Sequence, residues 1–200
     1  MQTGHSVLEK GTSIPEVRLL TPKRHVDGRG WLSETFKASD FAADRAVLFV
    51  QDNHALSRAA GTLRGLHFQA PPHAQVKLIR CIRGAVFDVV VDLRKGSPNY
   101  GKWVSAELTA QNGHQLFVPA GFAHGYMTTE PESELFYKVS DYYAPESEGG
   151  LRFDDPEIGI SWPLPPSRIT LSDKDKMLPL LRDFATPFLY DGLAPTPREA

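Results

Sequence analysis

Two hundred residues suffice for one domain with a sizeable core, and 22 Lys and Arg against 24 Asp and Glu leave a formal charge of −2. That balance excludes the strong basic excess of a nucleic-acid or membrane-surface protein, while 41% hydrophobic and 10% aromatic residues exclude disorder of the whole chain. The single cysteine, Cys81, forbids an internal disulfide or a multi-cysteine zinc site. No apolar run approaches the roughly 18 residues of a membrane span, and MQTGHSVLEK lacks the apolar core of a signal peptide, so a soluble, cytoplasmic protein is expected.

Sixteen Gly and sixteen Pro punctuate the chain too often for long helices. In chain order, a turn or two of helix is predicted at 39–45 behind a Ser cap, followed by strands at 47–51 and 76–82. The β-branched run AVFDVVVDL predicts a strand at 85–93 that ends in the turn-rich RKGSPNYG. Residues 103–109 alternate cleanly, with Val104, Ala106 and Leu108 apolar, as a half-buried strand does. Strands at 115–118 and 135–143 follow, the latter with Leu135, Tyr137 and Val139 on one face. A second short helix is predicted at 173–181, and the Pro-rich residues 193–200 read as a fraying tail. There is no repeat and no low-complexity tract. Many short strands with Gly/Pro turns predict an all-β sandwich or barrel of jelly-roll type, as one domain.

Seven histidines offer the usual base and the usual metal ligand. His5 and His25 lie in polar surroundings and read as solvated, and His54 and His114 flank turn-like sequence. His67, in GTLRGLHFQ, and His124, in VPAGFAHGY, sit among Gly and apolar residues where an imidazole needs partners. Lys77 shares strand parity with Ile79 and Cys81, so it is expected to face an apolar interior. Tyr137 is expected inward on the same grounds. Imidazole, ammonium and phenol on one barrel face form a proton-transfer set: a base, a cation for a developing enolate oxygen, and an acid for the opposite face.

Two spacings carry a resemblance. GHQLFVPAGFAH, from Gly113 to His124, resembles the second signature of the cupin superfamily. Gly61 to His67 and Lys77 to Gly84 outline the first, with altered ligands. Where a metal-binding cupin shows His-x-His and then Glu, this chain has His67, Gln69 and Lys77. An ammonium repels a divalent cation and Gln is a poor transition-metal ligand, so metal-free chemistry is expected. Beyond this, DGRGWLSETF, RGLHFQ, FVPAGFAHGY, ELFYKVSDYYAPESEGG, RFDDPEIGISWP and LSDKD together resemble the dTDP-4-dehydrorhamnose 3,5-epimerases over residues 14–181. The resemblance implies a cupin-type jelly-roll barrel with a few short helices, a single domain over residues 1–200 with tails at both ends, and no cofactor or metal.

It also implies roles. His67 would be the base at C3 and C5 of a 4-keto sugar, Asp175 its partner, Lys77 the stabiliser of the enolate at O4 and Tyr137 the acid on the far face. Arg64 and His124 would meet sugar and diphosphate; Gln51, Asn53, Glu148 and Lys174 would hold the nucleotide sugar; Tyr143 would stack on thymine. Arg29 and Glu34 would reach the nucleotide across the interface of a homodimer with exchanged strands. Strict alternation along LRGLHF would put Arg64 and His67 on opposite faces, so Gly65 is expected to mark a bulge. Asp173 competes with Asp175 for the dyad role, and His73 reads as rim decoration. Three other readings compete with double epimerisation: a single-site epimerase or 3,4-ketoisomerase, a metal-dependent cupin, and a non-catalytic nucleotide-sugar binder.

Overall fold

The computed structural model describes residues 7–41 and 47–192. The six-stranded sheet runs, in spatial order, β1 (Val7–Gly11), β2 (Arg18–Pro22), β10 (Gln115–Val118), β7 (Lys77–Arg83), β12 (Ser133–Val139) and β5 (Gln51–Ser57). The five-stranded sheet runs β13 (Glu148–Gly150), β6 (Leu63–Gln69), β11 (Phe122–Thr128), β8 (Ala85–Asp92) and β9 (Trp103–Thr109). A small hairpin pairs β3 (His25–Asp27) with β4 (Gly30–Leu32). Between β5 and β12 the chain changes sheet at every connection except β8 to β9, which is the jelly-roll path. The all-β expectation holds.

Burial explains the sequence patterns. Val86, Val90, Val104, Leu108, Phe122 and Tyr126 of one sheet pack against Ile79, Cys81, Leu116, Val118 and Leu135 of the other. Each fully buried Val, Leu or Ile contributes about 1.5–3 kcal/mol from the water its side chain leaves. The outer face of the five-stranded sheet is covered too: Leu66, Phe68, Val89, Val91 and Ala123 pack under Leu151, Ile158 and Phe188 from the C-terminal stretch. Strand β8 is therefore covered on both faces, which is why AVFDVVVD reads as a near-continuous apolar run rather than an alternation. Thr186 Oγ1 donates to Leu93 O, and Arg94 bonds Asp92 and Glu16 while stacking on Phe122 and Tyr190, so this last stretch is tied to the barrel.

Some elements differ from expectation. The strand predicted at 47–51 begins at Gln51 and runs to Ser57; the alternation was hidden because its inward face carries polar Gln51, Asn53 and Ser57 while apolar Leu56 points outward. The strand predicted at 135–143 occupies Ser133–Val139 instead, and beyond it Ser140 N turns to bond Val76 O. The helix predicted at 173–181 is a single turn, α1 (Asp173–Lys176), stopped ahead of Pro179. At 39–45 only a 3₁₀ turn, Ala38–Phe41, is described; residues 42–45, His5 and the tail 193–200 lie outside the described residues.

The bulge at Gly65 is present. His124 pairs with His67 and Tyr126 with Arg64, so three residues of β6 step past two of β11. Gly65 has φ +125°, and a Cβ there would stand 2.5 Å from Gly125 Cα and 2.8 Å from His124 O. Gly65→Ala should therefore cost at least about 2 kcal/mol in urea unfolding. Gly28→Ala, with nothing within 4 Å of the added carbon, should stay within about 0.5 kcal/mol. Equal stability of the two variants would contradict the packing described for the bulge.

Candidate active site

The bulge lets residues three apart on β6 reach one pocket of about 470 Å³ between the sheets, lined by Arg64, His67, Lys77, His124, Tyr126 and Tyr137 together with the 170–175 segment. Two walls face each other across it. The five-stranded sheet supplies Arg64, His67, His124 and Tyr126, and the six-stranded sheet supplies Lys77, Tyr137 and Ala55.

Asp175 Oδ1 lies 2.7 Å from His67 Nε2. Burial works to raise the Asp175 pKa, but the bonds from His67 and from Gly65 N outweigh it and hold the carboxyl below its ordinary value. An ionised carboxylate only accepts, so Nε2 of His67 donates to it and the neutral ring keeps its lone pair on Nδ1. Ser172 caps α1, its Oγ accepting from Asp175 N at 3.1 Å, and so fixes the aspartate at the start of the turn.

A second imidazole stands directly across the ladder. His124 faces His67 in register, and its Nε2 lies 2.8 Å from Oδ1 of Asp88, which is fully buried. The other oxygen of Asp88 has no hydrogen-bond partner among the described residues, nor has the hydroxyl of Tyr126, its register neighbour. Burial pushes the Tyr126 hydroxyl up to about 12, against the pull of Arg64. It raises Tyr137 as well, again with Arg64 opposing. The Lys77 ammonium makes no hydrogen bond or contact ion pair among the described residues, while its backbone lies in the ladder between β10 and β12. Burial lowers its pKa to about 8, while Asp88 and Glu148 pull it back up.

The model of the family described as dTDP-4-dehydrorhamnose 3,5-epimerase matches residues 11–183. A relative of that name from Sinorhizobium fredii is 52% identical over 179 residues, 89% of this chain and 91% of its own. The chain belongs to the dTDP-4-dehydrorhamnose 3,5-epimerase family. Solved structures agree. The Bacillus anthracis epimerase with TDP and PPi bound has a TM-score of 0.83 and 43% identity, covering 88% of this chain and 99% of its own. The Legionella pneumophila enzyme in complex with dTDP-4-keto-L-rhamnose has a TM-score of 0.83 and 40% identity, covering 88% and 93%. This epimerase is thus an isomerase on a cupin-type jelly roll.

Within the epimerase, His67, Lys77, Tyr137, Asp175, Arg64, His124 and Lys174 all line the pocket. Gln51 and Asn53 bond each other at 3.0 Å along the inward face of β5, and Tyr143 bonds Glu148, which in turn holds the pocket-lining Lys174. Gln51, Asn53, Tyr143 and Glu148 are not themselves among the lining residues. Arg29 does not line it: it pairs with Asp27 on the β3–β4 hairpin, and Glu34 is an exposed residue just beyond that hairpin. Asp173 is a surface charge paired to Lys176, leaving the dyad to Asp175. His73 pairs with Asp141 at 3.2 Å, and His54 with Glu134. Gln69, standing where a metal-binding cupin has its second His, spends its amide on the backbone of His73, Tyr142 and Ala144. Among the described residues no three His, Cys, Asp or Glu converge as metal ligands.

Sequence reasoning missed Asp88 and Tyr126. Asp88 had a signal: a lone carboxylate in an apolar strand at the parity of Val86 and Val90, both buried between the sheets. The Asp175 geometry has a thermodynamic consequence. Its depressed pKa stabilises the fold above the ordinary value of 3.8, and that contribution is lost as pH falls through the lower folded value. Asp175→Asn should be less stable than the parent at pH 7 by roughly 1–3 kcal/mol. The gap in chemical-denaturation free energy should close below about pH 4. A gap independent of pH would contradict the ionised pairing.

Proposed function

We propose that this epimerase inverts C3 and C5 of dTDP-4-dehydro-6-deoxy-D-glucose to give dTDP-4-dehydro-L-rhamnose, as a step in dTDP-L-rhamnose biosynthesis, with His67 as base and Tyr137 as acid. The observation that carries this reading is the placement of the two groups on opposite walls of one pocket, with Lys77 beside the acid: Val139, two residues from Tyr137, is the register partner of Lys77. His67 Nδ1 takes the proton from carbon, the C–H electron pair moves into the carbonyl, and Lys77 donates a hydrogen bond to the resulting enolate oxygen. Tyr137 then delivers its proton to the other face, and imidazolium and phenolate reset by exchange with solvent. The same steps serve both carbons, and none requires a cofactor or a metal.

Arg64, with only long 3.4 Å contacts to Ser57 and Leu56, has donors to spare for phosphate oxygens, and His124 sits beside it on the sugar. Gln51, Asn53, Tyr143, Glu148 and Lys174 make the nucleotide end at the pocket mouth, with Tyr143 stacking on thymine. The β3–β4 hairpin leaves Val26, Trp31 and Leu32 at 76, 58 and 75% exposure. This supports a homodimer with exchanged strands in which Arg29 and Glu34 reach the partner's nucleotide. We read residues 1–200 as one functional domain and its compartment as the cytoplasm; no helix among the described residues is long and apolar enough to cross a membrane.

Proton NMR with the 4-keto-6-deoxyglucose nucleotide in heavy water tests the reaction. Deuterium should enter at both C3 and C5. Label at C3 alone would mean a single-site epimerase or ketoisomerase, and no label would mean a binding protein. His67→Ala should abolish exchange, whereas Tyr137→Phe should retain some abstraction and lose productive inversion; normal epimerisation by Tyr137→Phe would remove the acid assignment. The pH profile adds a check on Lys77. Its cationic form is lost as pH rises through about 8, so kcat should fall on that side. Lys77→Met should be slow at all pH and lack that limb; an identical limb in the variant would assign it elsewhere.

A further inference from the structure

The side chains read as the nucleotide end and those read as the base are joined by an unbroken run of contacts. Gln51 Nε2 donates to Asn53 Oδ1 at 3.0 Å, and Gln51 Oε1 accepts from Tyr143 N at 3.1 Å. The Tyr143 hydroxyl donates to Glu148 Oε2 at 2.8 Å, and Lys174 Nζ meets that same oxygen at 2.5 Å. Lys174 is the residue before Asp175 on the single turn α1, and Asp175 holds His67 at 2.7 Å. One carboxylate oxygen thus ties three segments: the loop after β12, strand β13 and α1. Because β13 pairs with β6, with Gly150 opposite His67, Glu148 is fixed to the strand that carries the base.

Resting on the nucleotide-sugar reading above, we propose that Glu148 is a positioning residue that couples nucleotide occupancy to the base, acting through Lys174 on Asp175 and so on His67. The Lys174 ammonium is more than half exposed at the pocket mouth and, among the described residues, is held by one partner, Glu148. A diphosphate is a stronger competitor for it than a carboxylate already shared with a phenol. When Lys174 changes partner, the tether that Glu148 places on α1 is released, and the single turn that bears Asp175 is left to the Ser172 cap, Gly65 N and His67, so its resting position changes. The base is then set for chemistry when a nucleotide is in place. Displacements of an ångström at such a centre change rates on the order of a hundredfold.

The test uses TDP, which carries the nucleotide but no sugar, and the ring resonances of His67 in the labelled full-length protein. Saturating TDP should move the His67 signal in the parent. In Lys174→Met, TDP should bind on the order of tenfold more weakly. At saturation it should leave His67 nearly unmoved. Glu148→Gln, which frees Lys174, should displace the His67 signal toward its TDP-bound position before any ligand is added, and should lower kcat rather than only raise KM. An equal TDP-induced shift in parent and Lys174→Met would mean direct action of the phosphates and would overturn the coupling. So would a Glu148→Gln signal identical to the parent's. Absence of TDP binding to the parent by calorimetry would instead overturn the nucleotide-sugar reading, and the coupling with it.

Discussion

Asp175 reaches His67 across 108 residues of chain, and that hydrogen bond organises the rest of the site. The carboxylate must come to an imidazole inside the barrel from a segment that lies outside the two sheets. The C-terminal stretch therefore has to be held down on the barrel. Leu151, Ile158 and Phe188 bury against the outer face of the five-stranded sheet. Asp155 accepts from the backbone of Glu157, Ile158 and Leu181, which closes the loops between them. The Ser172 cap then aims Asp175 inward. On the other side of the bond, the bulge at Gly65 presents His67 and Arg64 to one cavity. Bulge, cap and outer apolar layer are parts of one constraint.

Electrostatics divides the pocket between its walls. One wall carries two imidazoles facing each other, each against its own aspartate, Asp175 or Asp88. The other carries an ammonium and a phenol whose pKa values burial moves in opposite directions, Lys77 down and Tyr137 up. The burial that brings Lys77 toward neutrality also strengthens any hydrogen bond it gives to an enolate. A phenol kept protonated through the neutral range serves as a donor, while an imidazole whose Nε2 hydrogen is committed to a carboxylate serves as an acceptor at Nδ1. In the proposed reaction the proton therefore leaves carbon toward His67 and arrives from Tyr137.

Much of this was legible in the residues. Strand parity placed Lys77 with Ile79 and Cys81 and Tyr137 with Leu135, and both side chains point inward. The conflict between alternation and a shared pocket for Arg64 and His67 located a bulge at the intervening glycine. The VPAGFAHG and LSDKD runs carried the family. What stayed hidden was long-range. Asp88 is eclipsed by the valines around it, and its role exists only because His124, on a neighbouring strand, lies diagonally across. Strand β11 could not be seen in FAHGYMT, because a strand buried on both faces between β6 and β8 shows no alternation and tolerates small and polar residues. The start of β5 was misplaced because its inward face carries polar Gln51, Asn53 and Ser57, which masks the period. The link from Tyr143 through Glu148 to Lys174 joins a loop, strand β13 and α1, which only the folded barrel brings together.

The central claim is that base and acid address opposite faces of one sugar ring. A crystal structure of the protein with dTDP-glucose, which lacks the 4-keto group and cannot react, tests it most directly. The account places His67 Nδ1 within about 3.5 Å of ring carbon on one face. It places the Tyr137 hydroxyl over the other face and Lys77 Nζ at the C4 oxygen. A ring bound with His67 and Tyr137 on the same face, or with His67 turned away from C3 and C5, would contradict it.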